Sequence, residues 1–333
     1  MNAPTVIAIE RKGEIGRLQL FMLYYDHYRK GQNGMKDLLS IADLDSEEIQ
    51  RLIRSAIELK QGGRKQLLEG KNLALIFEKP SLRTRVSFDV AMHQLGGHAL
   101  YLSPAEVGLG EREPISDVAR VLSRYVDGIV ARTFAHESVE ALAQYATVPV
   151  INGLSDAEHP CQILADLLTI YEKKGDLAGL IVSYIGDANN VANSLLLACS
   201  LMGIDFRLAS PKGYQPSDDV LAQARKNGGQ VVLTEEPDKA VQGADVVYTD
   251  VWISMGQKAE AHRRHRAFSG YQVNAELLAL AKPDAIFMHD LPAHHGEEVA
   301  EGILDAPQSV VFDQAENRLH MQKAILVKLL GTK

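Results

Sequence analysis

The sequence predicts an α/β protein built from two open parallel-sheet α/β domains, and three observations carry that expectation. From about residue 45, helical patterns alternate with apolar runs of four to seven residues rich in Val, Ile, Leu and Tyr. Continuous apolar runs, in place of strict alternation, mark strands buried on both faces, as in βαβ units. A chain of 333 residues is also too long for one comfortable core and suits two. Finally, the unusual polar residues fall where the apolar runs end, and ligands of open parallel sheets collect beyond the carboxyl ends of strands.

Taken in order, residues 1–34 form an N-terminal extension. Its apolar run "LQLFMLYY" has flanks and a length that fit neither a secretory signal nor an acid-poor transit peptide, so a cytoplasmic protein is expected. Met35 precedes the helix-start pattern "MKDLLSIADLDSEEI" and is a candidate natural start. A first domain over 35–165 contains the predicted strands "NLALIFE", "HALYL", "DGIVART" and "VPVING". A second, over 166–312, contains "LIVSYIGD", "DFRLASP", "QVVLTEE", "ADVVYTD", "DAIFMHD" and "SVVFDQ". The predicted helix "HPCQILADLLTIYEKKG" joins the two groups, and a final helix within 313–333, "RLHMQKAILVKLLG", returns to the first domain.

Bulk properties exclude several functions. The formal net charge is −8, which offers no basic surface for a phosphate backbone, so nucleic acid is not an expected partner. No window approaches the roughly 18 apolar residues that a bilayer span needs. Cys161 and Cys199 lie in apolar helical segments without CxxC spacing and read as reduced core thiols.

The polar motifs carry the chemistry. In "FEKPSLRTRVSFDVAMHQLGG", Pro80 stops a strand and Ser81 caps a helix that ends at Gly96 and Gly97. Arg83, Thr84 and Arg85 then lie in the first turn, beside free backbone N–H groups, where an anion such as a phosphate fits. Pairing of these arginines with acidic neighbours is the plainer alternative. Arg132 ends the strand in "DGIVART"; alone it is equally a structural arginine. In "HPCQ", Pro160 suits the first helical position, so His159 caps and Gln162 lies one turn on, an arrangement for one small carbonyl group or for a cap alone. "LIVSYIGDANN" runs a strand into Gly186, Asp187, Asn189 and Asn190 but lacks GxGxxG, which disfavours a nicotinamide cofactor. "ADVVYTDVWISMG" presents Asp250 and the Ser254-Met255-Gly256 loop, groups that suit an α-amino acid zwitterion. "MHDLPAHHGEE" places Asp290 and Leu291 after a strand, and "FDQAENRLHMQKAIL" sets Arg318 near the start of the last helix.

Together "SLRTR", "HPCQ", "DVWISMG" and "LPAH", in that order, identify a resemblance to the aspartate/ornithine carbamoyltransferase family over roughly residues 36–331. The resemblance implies a carbamoyl-phosphate domain followed by a Rossmann-like amino-acid domain, and carbamoyl transfer to L-ornithine with no cofactor and no metal. It implies phosphate binding by Ser81, Arg83 and Thr84, with backbone only from Leu82, where the family usually has threonine. Arg132, His159 and Gln162 would hold the carbamoyl group, and Arg318 would close on the phosphate. Asn190, Asp250, Ser254 and Met255, with Asp290 and Leu291, would surround ornithine, and Arg132, His159, Asp290 and Arg318 are the expected catalytic set. Homotrimers or their multiples follow from the family, with a neighbouring chain reaching each site near "AEVGLGEREP"; Gly108 stands there where glutamine or histidine is frequent.

The family pattern "HCLPAHRGEE" differs here at Asp290, for cysteine, and at His295, for arginine. A carboxylate beside the attacking amine favours its ammonium form, although only the neutral amine is nucleophilic. Asp290 therefore admits three readings: a slower enzyme, a proton acceptor, or a different amine such as lysine or an N-acylated ornithine. A binding paralogue without catalysis is the alternative from another class. The cluster "EAHRRHRAF" reads as one exposed helix surface, and His294 and His295 beside Glu297 and Glu298 are not expected to bind a metal.

Overall fold

The computed structural model describes residues 35–62, 65–254 and 256–331. The extension 1–34 and the expected ligand Met255 therefore lie outside the described residues. Among those described, two separate parallel sheets form, of four and five strands.

The first sheet has the order β2-β1-β3-β4, from β1 (Asn72–Phe77), β2 (His98–Leu102), β3 (Gly128–Arg132) and β4 (Val150–Leu154). Helices α1 (Ser46–Gln61), α2 (Leu82–Gln94), α3 (Ile115–Leu122) and α4 (His136–Tyr145) accompany it. The all-apolar segments "LALIF" and "GIVA" are the buried centre, whereas edge strand β2 leaves His98 exposed. Strand order reverses between β1 and β3, where Phe77 is registered beside Arg132.

Helix α5 (Pro160–Lys174) leads into the second sheet, of order β7-β6-β5-β8-β9. Its strands are β5 (Ile181–Ile185), β6 (Asp205–Ala209), β7 (Val231–Thr234), β8 (Val246–Thr249) and β9 (Ile286–Met288). The helices are α6 (Asn190–Met202), α7 (Asp218–Lys226), α8 (Pro237–Val241) and α9 (Ala261–Ala267). Here the order reverses between β5 and β8, with Ile185 beside Thr249. The crevice at such a reversal is where an open sheet admits a ligand. Gly186, with φ of 139°, makes the turn out of β5 in a conformation that disfavours a side chain.

The last helix, α10 (Val311–Leu330), packs against α5, α1 and α2, so it does return to the first sheet. It also corrects an expectation. "SVVFDQ" is not a strand: Ser309 only bridges to Phe287, and Val311 already opens the helix. Buried Val311, Met321 and Ile325 keep helical spacing, but buried Gln314, Asn317 and Arg318 interrupt its apolar face and disguise the first turns. Arg318 consequently lies two turns inside the helix. Helix α5 crosses the expected boundary 165/166 and α10 crosses 312/313, so both fall within helices.

A second correction concerns "EAHRRHRAF". It forms α9, yet Arg264 is buried and pairs with Asp187 at 2.7 Å while donating to the Trp252 carbonyl at 3.0 Å. One member of the basic cluster thus fastens α9 to the turn after β5. Both cysteines are buried and free, and burial pushes the Cys161 thiol up to about 12. Among the described residues no helix is long and apolar enough to cross a membrane.

Candidate active site

At the carboxyl end of β1, Ser81 caps α2 by accepting the Thr84 amide at 3.3 Å. The cap turns the first N–H groups of α2 outward from the strand end and sets Arg83 and Thr84 side by side on that turn. Thr84 is fully buried and its hydroxyl accepts a bond of 2.5 Å from Arg318 Nη2. Arg318 Nη1 reaches Gln162 Oε1 at 2.6 Å. Thus the first helix after β1, the joining helix and the final helix meet at one guanidinium. Leu82 is 75% exposed and presents an apolar side chain to solvent.

Arg132 ends β3, the neighbour of β1, and is buried. Its pKa is pushed down to about 10, first by burial and then by the charges of Arg318 and, more weakly, Arg83. His159 stands at the N-cap position ahead of Pro160, as expected, but its side chain makes no capping bond. Its amide donates to Ser194 Oγ at 2.9 Å, and the ring is buried. Burial, then the three arginines Arg318, Arg132 and Arg83, holds its pKa well below the ordinary histidine range, so it is neutral at neutral pH. The Nε atoms of Arg83, Arg132 and Arg318 and the Nδ1 atom of His159 are buried without hydrogen-bond partners. Three guanidiniums that repel one another and keep buried donor sites unspent form a site for an anion of more than one charge. Lys79, also buried, lies 4.6 Å from the Phe134 ring centre, and its pKa is lowered by burial and by Arg132.

Across from these cations, Asp250 follows β8 and Asp290 follows β9. Their carboxyls face one another, with an oxygen of each and a ring nitrogen of His289 within 4.8 Å of one another. Burial first, then the Asp290 charge, raises the Asp250 pKa well above the usual carboxylate range. Asp290 is raised by burial too, against the Asp250 hydrogen bond. Asn189 Nδ2 donates to Asp250 at 2.6 Å and the Val251 amide at 2.7 Å, whereas Asp290 Oδ1 is buried without a hydrogen-bond partner. Leu291 adopts a left-handed backbone with φ of 59°, costly for a side-chain-bearing residue, at about 1 kcal/mol or more. That conformation turns its carbonyl to accept from Arg83 Nη2 and its amide to donate to His289 Nδ1 at 2.9 Å. With Nδ1 accepting, the His289 proton lies on Nε2, facing Glu298 Oε1 at 3.2 Å.

Not every expected residue joins this arrangement. Asn190 Nδ2 is spent on the Ser155 carbonyl at 2.7 Å, and the adjacent Asn189 meets Asp250 instead. Ser254 lies in the loop after β8 with its amide donating to Gln257 Oε1 at 3.0 Å. His294 approaches Glu297 and Glu298, but Glu298 Oε1 accepts both the His289 ring and the His294 amide. Sequence reasoning overlooked Asp166, Tyr248, His289, Glu298 and Gln314. Gln162 with Asp166 and Gln314 with Arg318 are polar pairs four apart on otherwise apolar helical faces, and that spacing was the available signal.

Two parallel sheets that bring a polycationic pocket against a carboxyl pair define an enzyme that joins a small anionic donor to a cationic acceptor. The chain belongs to the aspartate/ornithine carbamoyltransferase family: residues 36–172 match its carbamoyl-P binding domain and 178–329 its Asp/Orn binding domain. It is 56% identical over 303 residues to an ornithine carbamoyltransferase of Anoxybacillus flavithermus, covering 89% of this chain and 96% of that one. An anabolic ornithine carbamoyltransferase of Pyrococcus furiosus is likewise 56% identical over 304 residues, with the same shares of each chain. The solved P. furiosus ornithine carbamoyltransferase superimposes with a TM-score of 0.86 at 55% identity, covering 90% of this chain and 99% of that one. That of Thermus thermophilus gives 0.83 at 52%, covering 89% and 99%.

Proposed function

We propose that the protein is an ornithine carbamoyltransferase, converting carbamoyl phosphate and L-ornithine to L-citrulline and phosphate in the biosynthetic direction. The observation that carries this reading is the convergence of Arg83, Arg132 and Arg318 on buried, unspent donors opposite Asp250 and Asp290. In it, Ser81, Arg83, Thr84 and the Leu82 backbone hold phosphate. Arg132, His159 and Gln162 hold the carbamoyl group, and Arg318 neutralises the leaving phosphate. Asp250, held by Asn189, takes the α-ammonium of ornithine, with Ser254, Met255, Asp290 and Leu291 around it, and Asn190 would join them only by leaving the Ser155 carbonyl.

The neutral δ-amine attacks the carbamoyl carbon and negative charge grows on its oxygen. Arg132, Thr84 and neutral His159 donate to that oxygen as an oxyanion site does; the carbamoyl C–O bond to phosphate then breaks, and phosphate departs toward Arg83 and Arg318, taking up the proton that the amine loses. Positioning two substrates and cancelling charge suffices, so the reading includes no metal or cofactor. The assembly is a cytoplasmic homotrimer or a multiple of it; exposed Leu82, Val86 and Leu100 supply apolar surface in keeping with subunit contacts.

Phosphate release from carbamoyl phosphate, with ornithine, lysine, N-acetylornithine and putrescine offered in turn and the ureido product identified, tests the reading. Turnover with ornithine is expected. Turnover with another amine alone would assign Asp290 to a changed specificity, and binding of carbamoyl phosphate without turnover would overturn catalysis.

A further inference from the structure

Asp166 lies in the middle of α5, fully buried, and accepts three hydrogen bonds. Gln162 Nε2 and Gln314 Nε2 both donate to Oδ1 at 2.9 Å, and Tyr248 Oη donates to Oδ2 at 2.9 Å. Gln314 Nε2 also donates to Tyr248 Oη at 3.0 Å. An amide whose NH2 is committed to a carboxylate has its oxygen fixed on the opposite side. For Gln162 that oxygen accepts Arg318 Nη1 at 2.6 Å, and for Gln314 it accepts the His289 amide at 2.9 Å. One carboxylate therefore sets the polarity of two glutamines, one turned to the guanidinium cluster and the other to the strand end that carries Asp290.

We propose that Asp166 is a positioning residue for both substrates, acting through Gln162 on Arg318 and through Gln314 on the His289–Asp290 turn. The proposal rests on the carbamoyltransferase reading above. The charged and titratable groups facing Asp166 are Arg318 from α10, Tyr248 from β8 and Asp290 from the turn after β9. A carboxylate is needed because only a group that accepts on both oxygens can take two amides and a hydroxyl together. In Asp166→Asn one of those positions becomes a donor, which faces either a glutamine NH2 or the tyrosine hydroxyl and lets an amide turn over.

The test compares KM for each substrate, kcat and Tm in the full-length wild type, Asp166→Asn, Gln162→Met and Gln314→Met. Gln162→Met is expected to raise KM for carbamoyl phosphate about tenfold or more, and Gln314→Met to raise KM for the amine by a similar factor with carbamoyl phosphate little changed. Asp166→Asn is expected to raise both and lower kcat. Lower Tm values with both KM values unmoved would make the network structural only and overturn the proposal. Were Asp166→Asn unable to fold, the opposite selectivity of the two glutamine variants would still decide, since a shared loss in both or neither contradicts the division. Wild-type turnover is measured first; if ornithine is not the acceptor, calorimetric binding of carbamoyl phosphate to the Gln162 and Gln314 variants reads the first arm alone, so the two ideas fail separately.

Discussion

Asp290 and Asp250 are two buried carboxyls that face one another beside a cluster of arginines, and burial raises the pKa of each. Their folded pKa values exceed those of the unfolded chain, so their contribution to stability is most favourable while they are protonated and is lost as pH rises through the raised values. Asp290→Asn removes the charge repulsion between the two carboxylates. Its Tm should overtake wild type as pH moves from mildly acidic to mildly alkaline, by roughly 2–4 °C for each kcal/mol relieved, and scanning calorimetry across that range checks it. For turnover the sign concerns the amine: a nearby carboxylate stabilises the ammonium, so Asp290→Cys should retain ornithine use and move the pH–rate profile toward lower pH. An unmoved profile would separate Asp290 from amine ionisation. At this scale the sequence disclosed residues that end strands, because a polar side chain after an apolar run is conspicuous. Asp166 escaped notice because its partners are distant in the chain and its own helix is apolar around it.

Helix α2 is set by the Ser81 cap, and the same cap shapes the turn that presents Thr84. Ser81→Ala should cost about 1 kcal/mol of stability by urea titration and weaken carbamoyl phosphate binding as well. On α10, Arg318 donates through two nitrogens to two different helices. Lysine supplies charge but not the fork, so Arg318→Lys should lower kcat/KM for carbamoyl phosphate by about 100-fold. Helix α9 depends on the buried Arg264–Asp187 pair, and Arg264→Ala, which abandons that carboxylate without a partner, should destabilise by about 3–5 kcal/mol in chemical denaturation. Strands β1 to β9 were readable from short apolar runs that break off at polar, Gly or Pro residues. The start of α10 was not, because Val310 and Val311 resemble a strand end and the polar residues behind them face inward to make the site. Likewise "EAHRRHRAF" read as a uniform surface because sequence alone gives no partner for Arg264 at a distance of 77 residues.

The two sheets are tied together at the site by Arg83, which bonds the Leu291 carbonyl, and through α5 and α10 by Arg318, Asp166 and Gln314. The proposed trimer is a prediction at this scale: sedimentation equilibrium should give about three times the chain mass of 36.5 kDa, and a monomer with full activity would refute it. Two α/β domains with a returning helix could be foreseen from the alternation of elements, but the joining network could not, since it pairs residues as far apart as Thr84 and Arg318. That return has a consequence for how the enzyme is made. A ribosome releases α10 after both sheets, and domains generally fold as they emerge. Until α10 docks, the nascent protein has two folded halves but neither Arg318 nor Gln314 in place. On the proposed reading, substrate capture is thereby deferred until α10 has emerged and docked, and a messenger truncated shortly before residue 311 should yield a polypeptide with both sheets and no turnover.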